Sequence, residues 1–131
     1  FTAAERAGSK IKKDDGDDDS VPAIALRRTE DILRHSVLDR ADAARPAIVG
    51  FAAETGGEGA SAIDLARAKA RRKGADLLVF NDISAGVFGA ADNSVRVLDR
   101  EGEEVASAEG SKTAVAHAVL DELVALLAEV S

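Results

Sequence analysis

The sequence predicts an α/β domain with a mostly parallel sheet, a β-hairpin and a long C-terminal helix. Two apolar runs, residues 47–53 and 77–80, lack polar alternation, as strands buried on both faces do. A helical stretch, roughly residues 60–73, lies between them and makes a βαβ unit, right-handed by a strong rule. From Ser111 onward apolar positions recur at three and four: Val115, Val119, Leu120, Leu123, Leu126, Leu127 and Val130.

The elements follow in chain order. Residues 1–9 show no clear periodicity. Lys10-Ile11-Lys12-Lys13 runs straight into Asp14-Asp15-Gly16-Asp17-Asp18-Asp19-Ser20. So charged a block cannot bury enough apolar area to order itself, so residues 1–20 are expected to form a mobile lysine/aspartate loop, with the folded part at 21–131. A short strand is expected at 23–26, after Pro22. Thr29 has the chemistry of a helix N-cap, with Glu30 and Asp31 in the first turn, where the helix dipole favours carboxylates. Ile32, Leu33, Val37 and Leu38 would form that helix's apolar face. Residues 41–46 read as a linker, 55–59 as a loop, and Gly74 as the stop of the second helix. Residues 82–93 form a glycine-rich loop. Residues 95–98 and 105–107 pair as a hairpin around Glu101-Gly102, and Ser111 caps the final helix.

Composition narrows the possible functions. The 131 residues are 46% apolar, enough for an ordinary core. No apolar run approaches the roughly 20 residues of a membrane span. A net charge of −7 argues against general binding to nucleic acid or anionic membranes. Four Phe, with no Tyr or Trp, make a poor base-stacking surface. The absence of cysteine removes disulfides and thiolate metal sites and fits a cytoplasmic protein. The chain does not begin with Met, so it is expected to start inside a longer product or to have been trimmed.

Candidate site residues gather near the strand tips, where open α/β sheets bind ligands. The protein is acidic, yet five Lys/Arg residues lie between Arg67 and Lys73. On a helix Lys69 and Lys73 share one edge of the buried stripe Ile63, Ala66, Ala70, and Arg67 and Arg71 share the other. Two readings compete: a solvated helix with snorkelling stems, or an ammonium pair that clamps phosphates. The lysines at 10, 12 and 13 are either a charged loop or a lid whose lysine reaches an anion. Phe51 is either core or a stacking surface for a flat ligand. Glu54 either caps the next helix or faces a ligand, and Asn81 and Asp82 form a turn or line a site. The aspartate run lacks the spacing of a calcium loop. His35 and His117 have no partner at ligand spacing, so no metal ligand is assigned. No nucleophile elbow, Walker loop or dinucleotide fingerprint occurs.

Taken together the motifs resemble a family. Ser9-Lys10-Ile11-Lys12-Lys13, Val49-Gly50-Phe51-Ala52-Ala53-Glu54-Thr55, Ala66-Arg67-Ala68-Lys69, Arg72-Lys73-Gly74-Ala75-Asp76-Leu77, Asn81-Asp82-Ile83-Ser84, Asp92-Asn93 and Ser111-Lys112 occur in that order. The chain resembles bacterial phosphopantothenate–cysteine ligase (phosphopantothenoylcysteine synthetase), usually the C-terminal half of a bifunctional coenzyme A biosynthesis protein. The resemblance implies the C-terminal portion of a Rossmann-like three-layer sandwich. It implies CTP, 4′-phosphopantothenate and L-cysteine as partners, an acyl-cytidylate intermediate, and release of CMP and pyrophosphate. Mg2+ accompanies the CTP, and FMN belongs only to a possible fused upstream decarboxylase half. A homodimer is implied. Carried over by position, Lys10 matches a catalytic loop lysine at the nucleotide and acyl phosphate. Phe51, Lys69 and Lys73 match nucleotide contacts. Glu30, Asp31, Ile32 and Leu33 match a helix-start segment along the nucleotide, whose first position is commonly Pro, so backbone amides would serve there. The remaining site pieces of the family lie upstream, so this chain alone is expected to be inert.

The layout poses a geometric problem. Lys73 would lie roughly 20 Å along the helix at about 1.5 Å per residue, while Phe51 sits near the strand tips. Two other classes compete with the ligase: a non-catalytic dimerisation or scaffold module, and a flavin- or dinucleotide-binding domain.

Overall fold

A computed structural model describes residues 1–5, 8, 23–57, 59–83 and 92–129. The chain divides into two compact units, Phe1–Asp31 and Ile32–Ser131. In the first, β1 (Thr2–Ala3) pairs antiparallel with β2 (Leu26–Arg27), Thr2 opposite Arg27. The strand expected at 23–26 is thus displaced toward Arg27, because the ladder forms where Thr2 and Ala3 lie opposite. Lys10, Lys12, Lys13 and the aspartate run lie outside the described residues.

The second unit runs α1 (Ile32–Arg40), β3 (Val49–Glu54), α2 (Ala62–Lys73), β4 (Leu77–Asp82), β5 (Asp92–Asp99), β6 (Glu104–Ser111) and α3 (Lys112–Glu129). The sheet order is β3-β4-β5-β6. β3 and β4 pair in parallel, with Phe51 opposite Val79 and Glu54 opposite Asp82. The other two pairings are antiparallel. The α/β class is borne out, and the described sheet is mixed rather than mostly parallel. Its parallel pair is the βαβ unit and its antiparallel end is the hairpin.

Local chemistry sets the helix ends. Ser61 caps α2: its hydroxyl accepts from the Asp64 amide at 3.3 Å and donates to the Asp64 carboxylate at 2.6 Å. That hydrogen bond from Ser61 holds the Asp64 carboxyl below its ordinary pKa. Gly74 ends α2 with φ 72°, its amide bonded to the Ala70 carbonyl at 2.9 Å. Ser111 caps α3, accepting from the Ala114 amide at 3.2 Å. α1 begins only at Ile32, so Glu30 and Asp31 precede it rather than filling its first turn. Asp31 has the same capping chemistry as Thr29 and stands directly before the first helical residue.

Two apolar clusters lie on opposite faces of the sheet. On one, Ala62, Ala66 and Ala70 of α2 pack on Ala52, Leu78, Phe80 and Leu98, with Leu33 and Ile63 at the margin. The small alanines let the helix approach the strands closely. On the other, Val115 and Val119 of α3 meet Val79, Val95, Val49 and Ala108. Helices therefore sit on both sides of the sheet, in three layers. β4 is buried on both faces, as its sequence implied. β3 departs from expectation, for it alternates: Gly50 and Ala52 are buried, while Phe51 (74% exposed) and Ala53 are open. α3 packs on β5 and β6, which leaves that face of β3 open toward its tip. In α1, Leu33 and Val37 face inward, but Ile32 and Leu38 are exposed. Leu33 and Val37 are four apart and share a face, while Ile32 and Leu38 fall a quarter turn or more to either side.

Gly50 leaves room for the Leu33 side chain, which would have to shift to admit a Cβ. A Cβ there would lie 2.7 Å from Leu33 Cδ2 and 3.1 Å from Leu78 Cδ1. At the same, N-terminal end of these strands, Asp76 ties four segments together. Its carboxylate accepts from both Arg40 terminal nitrogens, from Arg100 at 2.7 Å and from the Ile48 amide at 2.7 Å.

Candidate functional site

The tip of β3 and the adjoining edge of α2 are where the predicted residues come together. Glu54 ends β3 on the face toward α2, and its carboxylate forms an ion pair with Lys69. Both side chains are largely covered, at 18% and 28% exposure. Phe51, three residues earlier, points to the opposite face. β3 is an edge strand among the described residues, so Phe51 and Lys69 flank one edge from its two sides. The long Lys69 side chain brings its ammonium to the strand tip, which meets the distance problem for that residue. Lys73 lies one turn further down, where its carbonyl accepts from Arg34 of α1 at 3.3 Å.

The basic cluster divides by edge. Arg71 Nε donates to the Glu101 carbonyl at 2.6 Å, and the Arg67 backbone lies against Gly102. The arginine edge therefore docks the β5–β6 turn, while the lysine edge faces β3 and α1. Of the helix-start segment, Ile32 is exposed and Leu33 is packed over Gly50, so its side chain is structural. Glu30 and Asp31 belong to the first unit. Lys10 lies outside the described residues.

Beyond the tip of β4 a polar cavity of about 470 Å³ is lined by Asn81, Asp82, Ile83, Asn93, Ser94, Glu109 and Gly110. Asn81 and Asp82 were expected there. Ser94 and Glu109 were not, since only the β5–β6 register, with Ser94 opposite Glu109, brings them in. Ser94 donates to Glu109 at 3.3 Å. Among the described residues no group of three His, Cys, Asp or Glu is placed to hold a metal. Nor is any helix there long and apolar enough to cross a membrane.

A βαβ unit with an antiparallel hairpin beside it and helices on both faces of the sheet defines an α/β domain. The chain belongs to the family of DNA/pantothenate metabolism flavoprotein C-terminal domains, whose model matches residues 1–127. The coenzyme A biosynthesis bifunctional protein CoaBC of Mycobacterium tuberculosis is 42% identical over 132 residues, covering 98% of this chain and 31% of its own length. The CoaBC of Mycolicibacterium smegmatis is 40% identical over 131 residues, covering 97% of this chain and 31% of its own. For Bacillus subtilis CoaBC the identity is 34% over 128 residues, with 96% and 29% covered. The chain thus spans about a third of the length of these relatives. The resemblance drawn from its motifs is borne out at the level of the family.

Proposed function

We propose that this chain is the C-terminal part of a CTP-dependent phosphopantothenate–cysteine ligase. In that reaction the carboxylate of 4′-phosphopantothenate attacks the α-phosphorus of CTP and pyrophosphate leaves. The amine of L-cysteine then attacks the acyl-cytidylate, and CMP leaves as the amide forms. The observation that carries the reading is Lys69 at the tip of β3, on the edge that also exposes Phe51, in a chain of this family. Bringing a carboxylate against a triphosphate demands cations and fixed positions more than covalent chemistry. Lys69 and Lys73 neutralise phosphate oxygens, Phe51 packs on the nucleotide, and amides at the start of α1 add donors. Lys10, which lies outside the described residues, is assigned the catalytic role at the acyl phosphate.

Magnesium supplies charge neutralisation on the triphosphate. FMN belongs to a separate upstream half of the CoaBC type. The protein works as a cytoplasmic homodimer. The test is CMP release with phosphopantothenate and cysteine, by the protein as its gene encodes it and by this chain alone. The full product turns over, Lys10→Gln and Lys69→Ala each lower kcat/KM at least tenfold, and the isolated chain is inert. Turnover unchanged in both variants, or CMP release by the isolated chain, would count against these assignments. Exposed Leu120 and Val124 on α3 favour a second reading, a dimerisation module, which a tight dimer without nucleotide protection in thermal melts would support.

A further inference from the structure

We propose that Glu54 is a positioning residue that competes with nucleotide phosphates for Lys69 and takes the ammonium back when pyrophosphate leaves. The proposal rests on the reading above that Lys69 binds the nucleotide. Glu54 Oε1 is buried and has no hydrogen-bond partner among the described residues, so the Lys69 ammonium is what balances it. Moving Lys69 to a phosphate would strand a buried carboxylate oxygen, which is costly in a partly desolvated site. The same carboxylate would then face the phosphates and repel them. Both effects oppose phosphate binding and favour phosphate release. The strand alternation sets the side: Gly50, Ala52 and Glu54 share the face under α2, and there Glu54 meets Lys69. A brace between strand and helix would use the same contact, but it would have no preference among ligands.

The experiment measures binding of inorganic pyrophosphate, CTP and cytidine by calorimetry, with and without magnesium. It uses the protein as its gene encodes it, as wild type, Glu54→Gln, Lys69→Ala and the double variant. Glu54→Gln is expected to tighten pyrophosphate and CTP about five- to tenfold and to leave cytidine within about twofold. It should also lower KM for CTP without raising kcat. Lys69→Ala weakens both phosphate ligands, and in that background the Glu54→Gln gain shrinks to the part owed to direct repulsion, below its size beside Lys69. If Lys69→Ala weakens pyrophosphate but Glu54→Gln leaves it unchanged or weaker, the competition is wrong while the nucleotide reading stands. If Lys69→Ala has no effect on either phosphate ligand, the nucleotide reading of Lys69 fails and the proposal falls with it. Should the Gln variant not fold, Glu54→Asp, too short to hold Lys69, is expected to tighten pyrophosphate two- to threefold, and no tightening would overturn the idea.

Discussion

Asp76 shows how one residue can hold several elements at once. It opens the second strand of the βαβ unit and meets Arg40 from α1, Arg100 from the hairpin turn and the Ile48 amide from the start of β3. Burial alone would raise its pKa, but the hydrogen bonds from Arg40, Ile48 and Arg100 outweigh it and hold the carboxyl below its ordinary 3.8. The sign follows from linkage. A group whose folded pKa is depressed contributes its full stability above the unfolded value and loses it as pH falls through the folded one. Asp76→Asn is therefore expected to cost about 2 kcal/mol at pH 7, because it leaves the nearly covered Arg40 guanidinium without its counter-charge. Below pH about 4 the gap between variant and wild type should narrow. Urea melts at pH 7 and pH 3 check this, and an equal gap at both would refute the assignment. Nothing in the sequence marked Asp76 as this hub, since Arg40 and Arg100 lie far from it along the chain.

At the scale of elements, legibility tracked local chemistry. The cap of α3, the Gly74 stop and the hairpin were readable because each depends on residues within a turn or two. The start of α1 was misplaced because Thr29 and Asp31 offer the same capping chemistry, and the other failures depended on neighbours distant in sequence. The apolar run of β3 reads as doubly buried, yet one face opens because α3 covers β5 and β6 instead. The strands β5 and β6 also run longer than their apolar cores, since ladder hydrogen bonds do not need apolar side chains to continue. The β5–β6 turn gives the element-scale prediction. Gly102 has φ 84°, and a Cβ there would lie 3.0 Å from the Arg67 carbonyl oxygen. Left-handed geometry alone costs a non-glycine residue roughly 1–2 kcal/mol, and the backbone contact adds to it. Gly102→Ala should therefore lose about 2 kcal/mol or more and weaken the grip of Arg71 on the Glu101 carbonyl. Hydrogen exchange at the α2 C-terminus and in the turn would report both effects. Loss of stability with unchanged α2 protection would show that the turn and helix are not coupled.

Across the whole sheet, β4 is the wall between two cores that share no side chain. Leu78 and Phe80 face α2, and Val79 faces α3. The candidate site sits where the two layers end, which explains why it was only half legible. Phe51, Lys69 and Lys73 could be matched by motif, but the partner of Lys69 and the cavity wall formed by Ser94 and Glu109 come from register and helix placement. The same separation predicts how core mutations combine. Phe80 is 2% exposed, and its replacement by alanine should cost about 3–5 kcal/mol. Val115→Ala removes two methyl groups from the opposite cluster and should cost about 1.5 kcal/mol. Residues on opposite faces without shared partners add to within about 0.5 kcal/mol. The double variant should therefore lose about 4.5–6.5 kcal/mol, from less than half to all of the roughly 5–15 kcal/mol that a domain holds. Its melt must be followed at low temperature in denaturant. A coupling term above about 1 kcal/mol would mean that β4 transmits packing from one face to the other, and that the two cores fold as one.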